Sequence, residues 1–248
     1  MTALREIPAG RLLAAWDEGV TRPPVARPLA LLAAATGDGD ETLASLSLGQ
    51  REAVLLRLRE QIFGERITAL ATCPACSERV EVCLSAAAVL GDSPETAMDP
   101  AALTLEMNGY RVDFRLPDSR DAAAAGDSPD VATARQVLLD RCVTVTDRDG
   151  RRRTGADVPP DVVAAVVERM AQLDPHADVG LALTCPTCAR GWDAPFDAGA
   201  FLWSEVETWA RRTLRQIHEL ALAYGWSEAE TLGLSERRRQ AYLELVGS

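Results

Sequence analysis

No lysine occurs anywhere in the 248-residue chain; all 26 basic side chains are arginine. That absence excludes the lysine of a Walker-type phosphate loop, Schiff-base cofactors and lysine nucleophiles. Histidine is nearly as scarce, with only His176 and His218. The sequence also lacks a His-Glu-x-x-His helix, a Gly-x-Ser-x-Gly elbow and a glycine-rich phosphate loop. Positive charge is in deficit, since 37 acidic residues leave a formal net charge of -11, which repels a phosphate backbone. An enzyme, a small-molecule substrate and a nucleic-acid partner are therefore not expected. No apolar run reaches transmembrane length, and no basic n-region, apolar h-region and cleavage site precede the globular sequence. A reducing cytoplasm and no membrane association are the expectation.

Against these absences stand six cysteines. Four form two Cys-Pro-x-Cys motifs, Cys73-Pro74-Ala75-Cys76 and Cys185-Pro186-Thr187-Cys188, offset by 112 residues. One such pair can fill two corners of a tetrahedron around Zn²⁺, and a structural four-thiolate site needs two pairs. A redox motif of the thioredoxin kind instead opens a helix whose amides depress the thiol pKa. Here Glu78-Arg79-Val80-Glu81-Val82 and Arg190-Gly191-Trp192-Asp193-Ala194 follow the motifs, and apolar runs Ile67 to Ala71 and Val179 to Leu183 precede them. Each pair is thus expected at the tip of a β-hairpin, as a zinc knuckle, with the two knuckles forming a zinc ribbon. A pair of metal-free, buried or oxidisable dithiols is the alternative. Cys83 and Cys142 remain, and are read as small buried hydrophobes.

The 112-residue offset extends beyond the cysteines: Thr72 repeats as Thr184, Ala86 as Ala198, Ala88 as Ala200 and Leu90 as Leu202. The expected fold is therefore α+β: a helical protein with two β-hairpin zinc knuckles forming a split zinc ribbon, in pseudo-duplicated halves at about 50–90 and 160–202. Residues 1–46 are expected as an N-terminal arm, 47–246 as the zinc-ribbon and helical domain, 91–159 as an insertion and 198–246 as C-terminal helices. Leu84 to Leu90 are expected as a short helix ended by Gly91-Asp92-Ser93-Pro94, after which the insertion begins.

Local signals fill in the elements. Ser47 and Gln50 have capping-box spacing before a helix with Val54, Leu55, Leu58 and Ile62 on one face, stopped by Gly64. In the insertion, Asn108-Gly109 joins two alternating runs, 103–107 and 110–116, a strong hairpin signal, and Asn108 is the only asparagine in the chain. A helix over about 129–142 is expected to bury Val131, Ala134, Leu138 and Cys142. A second small hairpin is placed at Val143-Thr144-Val145 with Asp149-Gly150, and Arg151-Arg152-Arg153 is read as a solvated loop. Pro159-Pro160 opens a helix through Val162, Val163, Val166, Val167 and Met170. From Ala198 a long helix carries the stripe Leu202, Val206, Ala210, Leu214, Ile217, Ala221 and Tyr224. Ser227 and Glu230 offer another capping box, before a last helix at about 236–246.

In order along the chain come Gly49-Gln50-Arg51, Leu55 to Arg59, Phe63-Gly64, the first knuckle with Val80-Glu81-Val82, and Tyr110 to Arg120. Asp174-Pro175, the second knuckle and Ala223-Tyr224-Gly225-Trp226 complete the series. Together they resemble the baseplate hub assembly protein, or assembly chaperone, family of T-even-type contractile phage tails, in the zinc-ribbon form associated with phage-like contractile injection systems. The resemblance spans about residues 45–246. It implies a non-catalytic role in building a baseplate and its hub, with baseplate and hub proteins as partners. Ser77 and Ala189 stand where that family's knuckles often have glycine, a departure that strains the turn. Structural Zn²⁺ on Cys73, Cys76, Cys185 and Cys188 is the expected cofactor. Large aromatics near Arg211, Arg212 and Arg215 make Trp203, Trp209 and Trp226 candidates for the partner surface. A nucleic-acid-binding zinc ribbon and a redox dithiol protein are the competing functions.

Overall fold

Turn and cap chemistry sets most element boundaries in the computed structural model, which describes residues 3–91, 103–153 and 158–246. The expected break at Asp92-Ser93-Pro94 lies outside the described residues. Two compact units make up the chain, one of residues 1–38 with 199–248, the other of 39–198.

The first unit is helical. Helices α1 (Ala9–Val20) and α2 (Arg27–Thr36) bury Leu12, Leu13, Ala15, Leu29, Leu31 and Leu32. Gly37, at φ 82°, ends α2 in the left-handed region that glycine adopts without a steric penalty. Both helices therefore contribute to the core of this unit.

The second unit begins with the short α3 (Asp40–Ala44) and then α4 (Leu48–Phe63). As expected, Ser47 and Gln50 form a reciprocal capping box on α4, and Gly64 at φ 88° stops it. Strands β1 (Arg66–Thr72) and β2 (Arg79–Ser85) pair antiparallel from Arg66↔Ser85 to Thr72↔Arg79. Burial alternates along this ribbon, with Ile67, Ala69, Ala71, Val80, Val82 and Leu84 on the covered face. Cys83 falls on the opposite face and is exposed, which corrects its reading as a buried hydrophobe: with a side-chain period of two, it cannot share a face with Val82 and Leu84. Ser85 caps the short α5 (Ala86–Leu90).

Strands β3 (Thr104–Met107) and β4 (Tyr110–Phe114) meet at Asn108 and Gly109, both at positive φ (53° and 81°), the condition of a type I′ turn. They are followed by α6 (Ser119–Gly126), boxed by Asp118 and Asp121, and α7 (Val131–Cys142), capped by Asp130. Val131 is 86 % exposed, against expectation, because it is the first residue of α7 and the helix buries only its far end at Cys142. Strands β5 (Val143–Thr146) and β6 (Arg152–Arg153) add to β4, so the expected hairpins merge into one antiparallel sheet of order β3-β4-β5-β6. Helix α8 (Pro160–Leu173) lays Val162 and Val166 on Val112, Phe114 and Val145 to form the core of this region.

After a turn at Pro175–Ala177, strands β7 (Val179–Thr184) and β8 (Gly191–Phe196) form the second ribbon. Helix α9 (Ala198–Tyr224) then runs 27 residues, followed by α10 (Glu228–Leu232) and α11 (Glu236–Val246). The Ser227–Glu230 box caps α10 as expected. On α9 the buried stripe is Leu202, Val206, Ala210, Thr213, Ile217 and Leu220, and Leu214 is 38 % exposed. Three consecutive steps of four outrun the 3.6-residue turn, so the stripe returns to phase at Thr213 and not at the more apolar Leu214. None of the described helices is long and apolar enough to cross a membrane.

Candidate metal centre

Each Cys-Pro-x-Cys motif occupies the six-residue loop of a ribbon, between Thr72 and Arg79 in the first and between Thr184 and Gly191 in the second. The two loops close in the same way. Cys73 N–H donates to the Glu78 carbonyl at 2.9 Å, and Cys185 N–H to that of Arg190 at 2.9 Å. Ser77 N–H returns to the Cys73 carbonyl at 2.9 Å, and Ala189 N–H to that of Cys185 at 3.0 Å. Ser77 and Ala189 both sit in the left-handed region, at φ 61° and 58°. Glycine takes this conformation freely, whereas any residue with a Cβ meets a steric penalty there. The strain expected from the two substituted glycine positions is therefore present in the backbone.

The loops bring all four cysteine sulfurs within 4.8 Å of one another. Cys73 and Cys188 are 3.7 Å apart, and Cys76 and Cys185 3.6 Å. A metal bonded to four sulfurs at about 2.3 Å requires tetrahedron edges of about 3.8 Å, so these two separations are compatible with such a site. Cys73 and Cys185 are buried, and Cys76 and Cys188 exposed.

Crowding the sulfurs splits their acidities. The backbone amide of Cys76 holds the Cys73 thiol down to about 7, against the effect of burial and with help from the Ala75 amide. At Cys76 the Glu78 amide also favours the thiolate, but it is outweighed by the sulfurs of Cys188, Cys185 and Cys73 and by burial, which push this thiol up to about 12. Four thiolates cannot coexist at these distances without a cation between them; a divalent metal removes that repulsion and releases the protons.

Neither histidine joins the cluster. His176 Nε2 lies 3.0 Å from the Leu90 carbonyl, and His218 is exposed on α9. Cys142 is buried as expected, its Sγ 3.5 Å from Asp121 Oδ2, and burial raises its thiol to about 12.

The aromatic candidates divide. Trp203 is 7 % exposed, packed where Gly19 leaves no room for a Cβ and with the Arg27 guanidinium 5.6 Å from its ring centroid. It is a core residue of the helical unit. Trp209 is half-buried against Leu13, Ala210 and Ile217. Trp226 is half-buried in an aromatic trio, stacked on Tyr224 at 4.8 Å and edge-on to Tyr242 at 4.8 Å.

Sequence reasoning missed a buried polar network in the second unit. Asp174 accepts from Ser47 Oγ at 3.0 Å and from Gly49 N–H at 2.9 Å. Arg51 donates to Glu52 at 2.8 Å and to Ser119 at 3.1 Å. Asp121, fully buried, accepts from Arg115 and Arg141. Gly49, Arg51, Arg115, Ser119 and Asp174 lie in the segments Gly49-Gln50-Arg51, Tyr110 to Arg120 and Asp174-Pro175 singled out in the sequence, whereas Ser47, Glu52, Asp121 and Arg141 lie outside them.

A family model described as T4 bacteriophage base plate protein matches residues 29–191, more than half of the chain, and that span includes both cysteine loops and the buried polar network. No curated protein and no solved structure gives a significant match. With both cysteine loops and the polar network inside one matched span, the chain belongs to the T4 bacteriophage base plate protein family.

Proposed function

We propose that this chain is a non-enzymatic, zinc-stabilised assembly factor or minor component of a contractile-tail or injection-system baseplate, acting through contacts with other baseplate and hub proteins. The observation that carries the zinc reading is the convergence of four thiols from loops 112 residues apart to within 4.8 Å. Four soft sulfur donors at tetrahedral spacing suit Zn²⁺, and a site filled by four protein ligands leaves no position for water, so the metal would organise the fold and not activate a nucleophile. Cys73, Cys76, Cys185 and Cys188 would hold it as a split zinc ribbon joining two pseudo-duplicated halves. The repetition of loop hydrogen bonds and of positive φ at the same 112-residue offset supports that duplication.

The partner surface is assigned to the helical unit, around Trp226 and Tyr224, with Trp209 a second candidate further back along α9. Exposed Leu222, Leu245 and Val246 belong to the same unit, and large aromatics with nearby arginine are the types that concentrate binding energy. The test is capture of tagged protein with co-expressed tail proteins. Trp226→Ala should weaken capture of a baseplate partner about tenfold or more while zinc content and thermal unfolding stay unchanged. Undiminished capture, or lost capture accompanied by lost folding, would contradict this assignment.

A further inference from the structure

The burial pattern of the cluster has a direction. Within the cluster, two sulfur contacts cross between the ribbons and each pairs an exposed thiol with a buried one: Cys76 lies 3.6 Å from Cys185, and Cys188 lies 3.7 Å from Cys73. An oxidant arriving from solvent meets Cys76 and Cys188 first. For each, a buried sulfur of the other ribbon is within 3.7 Å and can resolve it. The loop hydrogen bonds of Cys73 and Cys185 hold those resolving residues in place.

We infer that the cluster is an oxidation site in which a peroxide converts the four thiolates into two disulfides between the ribbons, Cys76 to Cys185 and Cys188 to Cys73, so that the joint between residues far apart in sequence survives loss of the metal. In the first step, the Cys76 sulfur, which would be a thiolate when the divalent cation is bound, attacks hydrogen peroxide. The O–O bond breaks, hydroxide leaves, and the sulfur is oxidised to sulfenic acid. Cys185 thiolate then attacks that sulfur, the S–S bond forms, and the S–O bond breaks with departure of hydroxide. Cys188 and Cys73 repeat the sequence. Two peroxides accept four electrons from four thiolates, four protons are consumed, and four waters and the bound divalent cation are released. The metal release and the order of attack rest on the zinc reading, which keeps Cys76 as a thiolate; the disulfide pairing rests on the sulfur arrangement alone.

The experiment treats the purified full chain with hydrogen peroxide under native conditions, alkylates the remaining thiols and maps disulfide-linked peptides by mass spectrometry. Metal released to a chromogenic chelator is followed in parallel. The expected map joins the peptide holding Cys73 and Cys76 to that holding Cys185 and Cys188, with Cys83 and Cys142 outside any intrachain bridge. Disulfides closed within Cys73–Cys76 and Cys185–Cys188, or sulfinic and sulfonic acids in place of disulfides, would overturn it. Two double variants assign the pairs: Cys76→Ser with Cys185→Ser should still close Cys73 to Cys188, and Cys76→Ser with Cys188→Ser, which leaves only the buried thiols, should close at least tenfold more slowly. Equal rates would overturn the proposed order of attack. Metal content measured before oxidation reports on the zinc reading separately. A metal-free protein that gives the cross-ribbon map would sink zinc but keep the pairing, and a zinc-loaded protein that gives the within-motif map would do the reverse.

Discussion

Gly49 and Asp174, 125 residues apart, are locked together: the Gly49 backbone N–H donates to Asp174 Oδ2 at 2.9 Å, and a Cβ on Gly49 would run into the same carboxylate and lie 2.9 Å from the Ala177 nitrogen. The contact fastens the first turn of α4 to the turn that leads into the second ribbon. Gly49→Ala should therefore cost about 2 kcal/mol or more, through overpacking and displacement of a buried acceptor. Gly126→Ala is the matched control, because a Cβ there meets nothing within 4 Å and the residue ends a helix; it should be neutral or stabilise by up to about 1 kcal/mol. Denaturant midpoints of the two variants measure this, and equal shifts would refute the steric account.

Ala189→Gly should raise stability by about 1 kcal/mol, since φ 58° strains any residue with a Cβ. Ser77→Gly should do the same from φ 61°. The greater freedom of an unfolded glycine opposes each gain, so the net rise is expected to be below the full left-handed penalty. Thermal unfolding of both single variants and the pair tests this; destabilisation by both would show that the loop needs those side chains.

Asp121 should give the second unit an acid limit. Burial disfavours its charge, but hydrogen bonds from Arg115, the Asp118 backbone and Arg141 outweigh burial and hold its carboxyl well below the usual carboxylate range. A depressed folded-state pKa contributes stability that is complete above the unfolded value of about 4 and is lost as pH falls towards the folded value. Asp121→Asn should be destabilised by about 2 kcal/mol at neutral pH, and its gap from the parent should narrow steadily below about pH 4. A gap independent of pH would mean that shape, not charge, is what Asp121 supplies.

Much of this architecture was readable where the determinants are local. Ser47 with Gln50, Ser227 with Glu230, and Asn108-Gly109 each act within four residues, and each gives the element expected of it. The cysteine loops were readable for the same reason: residue type and two-residue spacing define the donor geometry. What escaped depends on distant partners. Nothing near Asp174 announces that it will accept from Gly49 and Ser47, and nothing in residues 143–153 says that their strands will join the Asn108 hairpin in one sheet. The exposed position of Leu214 shows a third limit, in which a large apolar side chain one residue out of phase outweighed the true stripe through Thr213.

Cys73→Ser should loosen the connection between the two ribbons more than it disturbs either one. Each ribbon keeps its own ladder, whereas a metal at the cluster closes a chain segment of more than a hundred residues, whose release restores loop entropy. Limited proteolysis of the variant should then cut between about residues 91 and 160, where the parent resists. Equal resistance would argue against a bridging metal.

The most direct test is the metal content and sulfur coordination of freshly purified protein, by elemental analysis and X-ray absorption at the zinc edge. One zinc per chain, with four sulfurs at about 2.3 Å and no light-atom ligand, is the expected result. Absence of zinc from protein purified without chelator, two metals per chain, or a shell of two sulfurs would contradict a single site shared by Cys73, Cys76, Cys185 and Cys188.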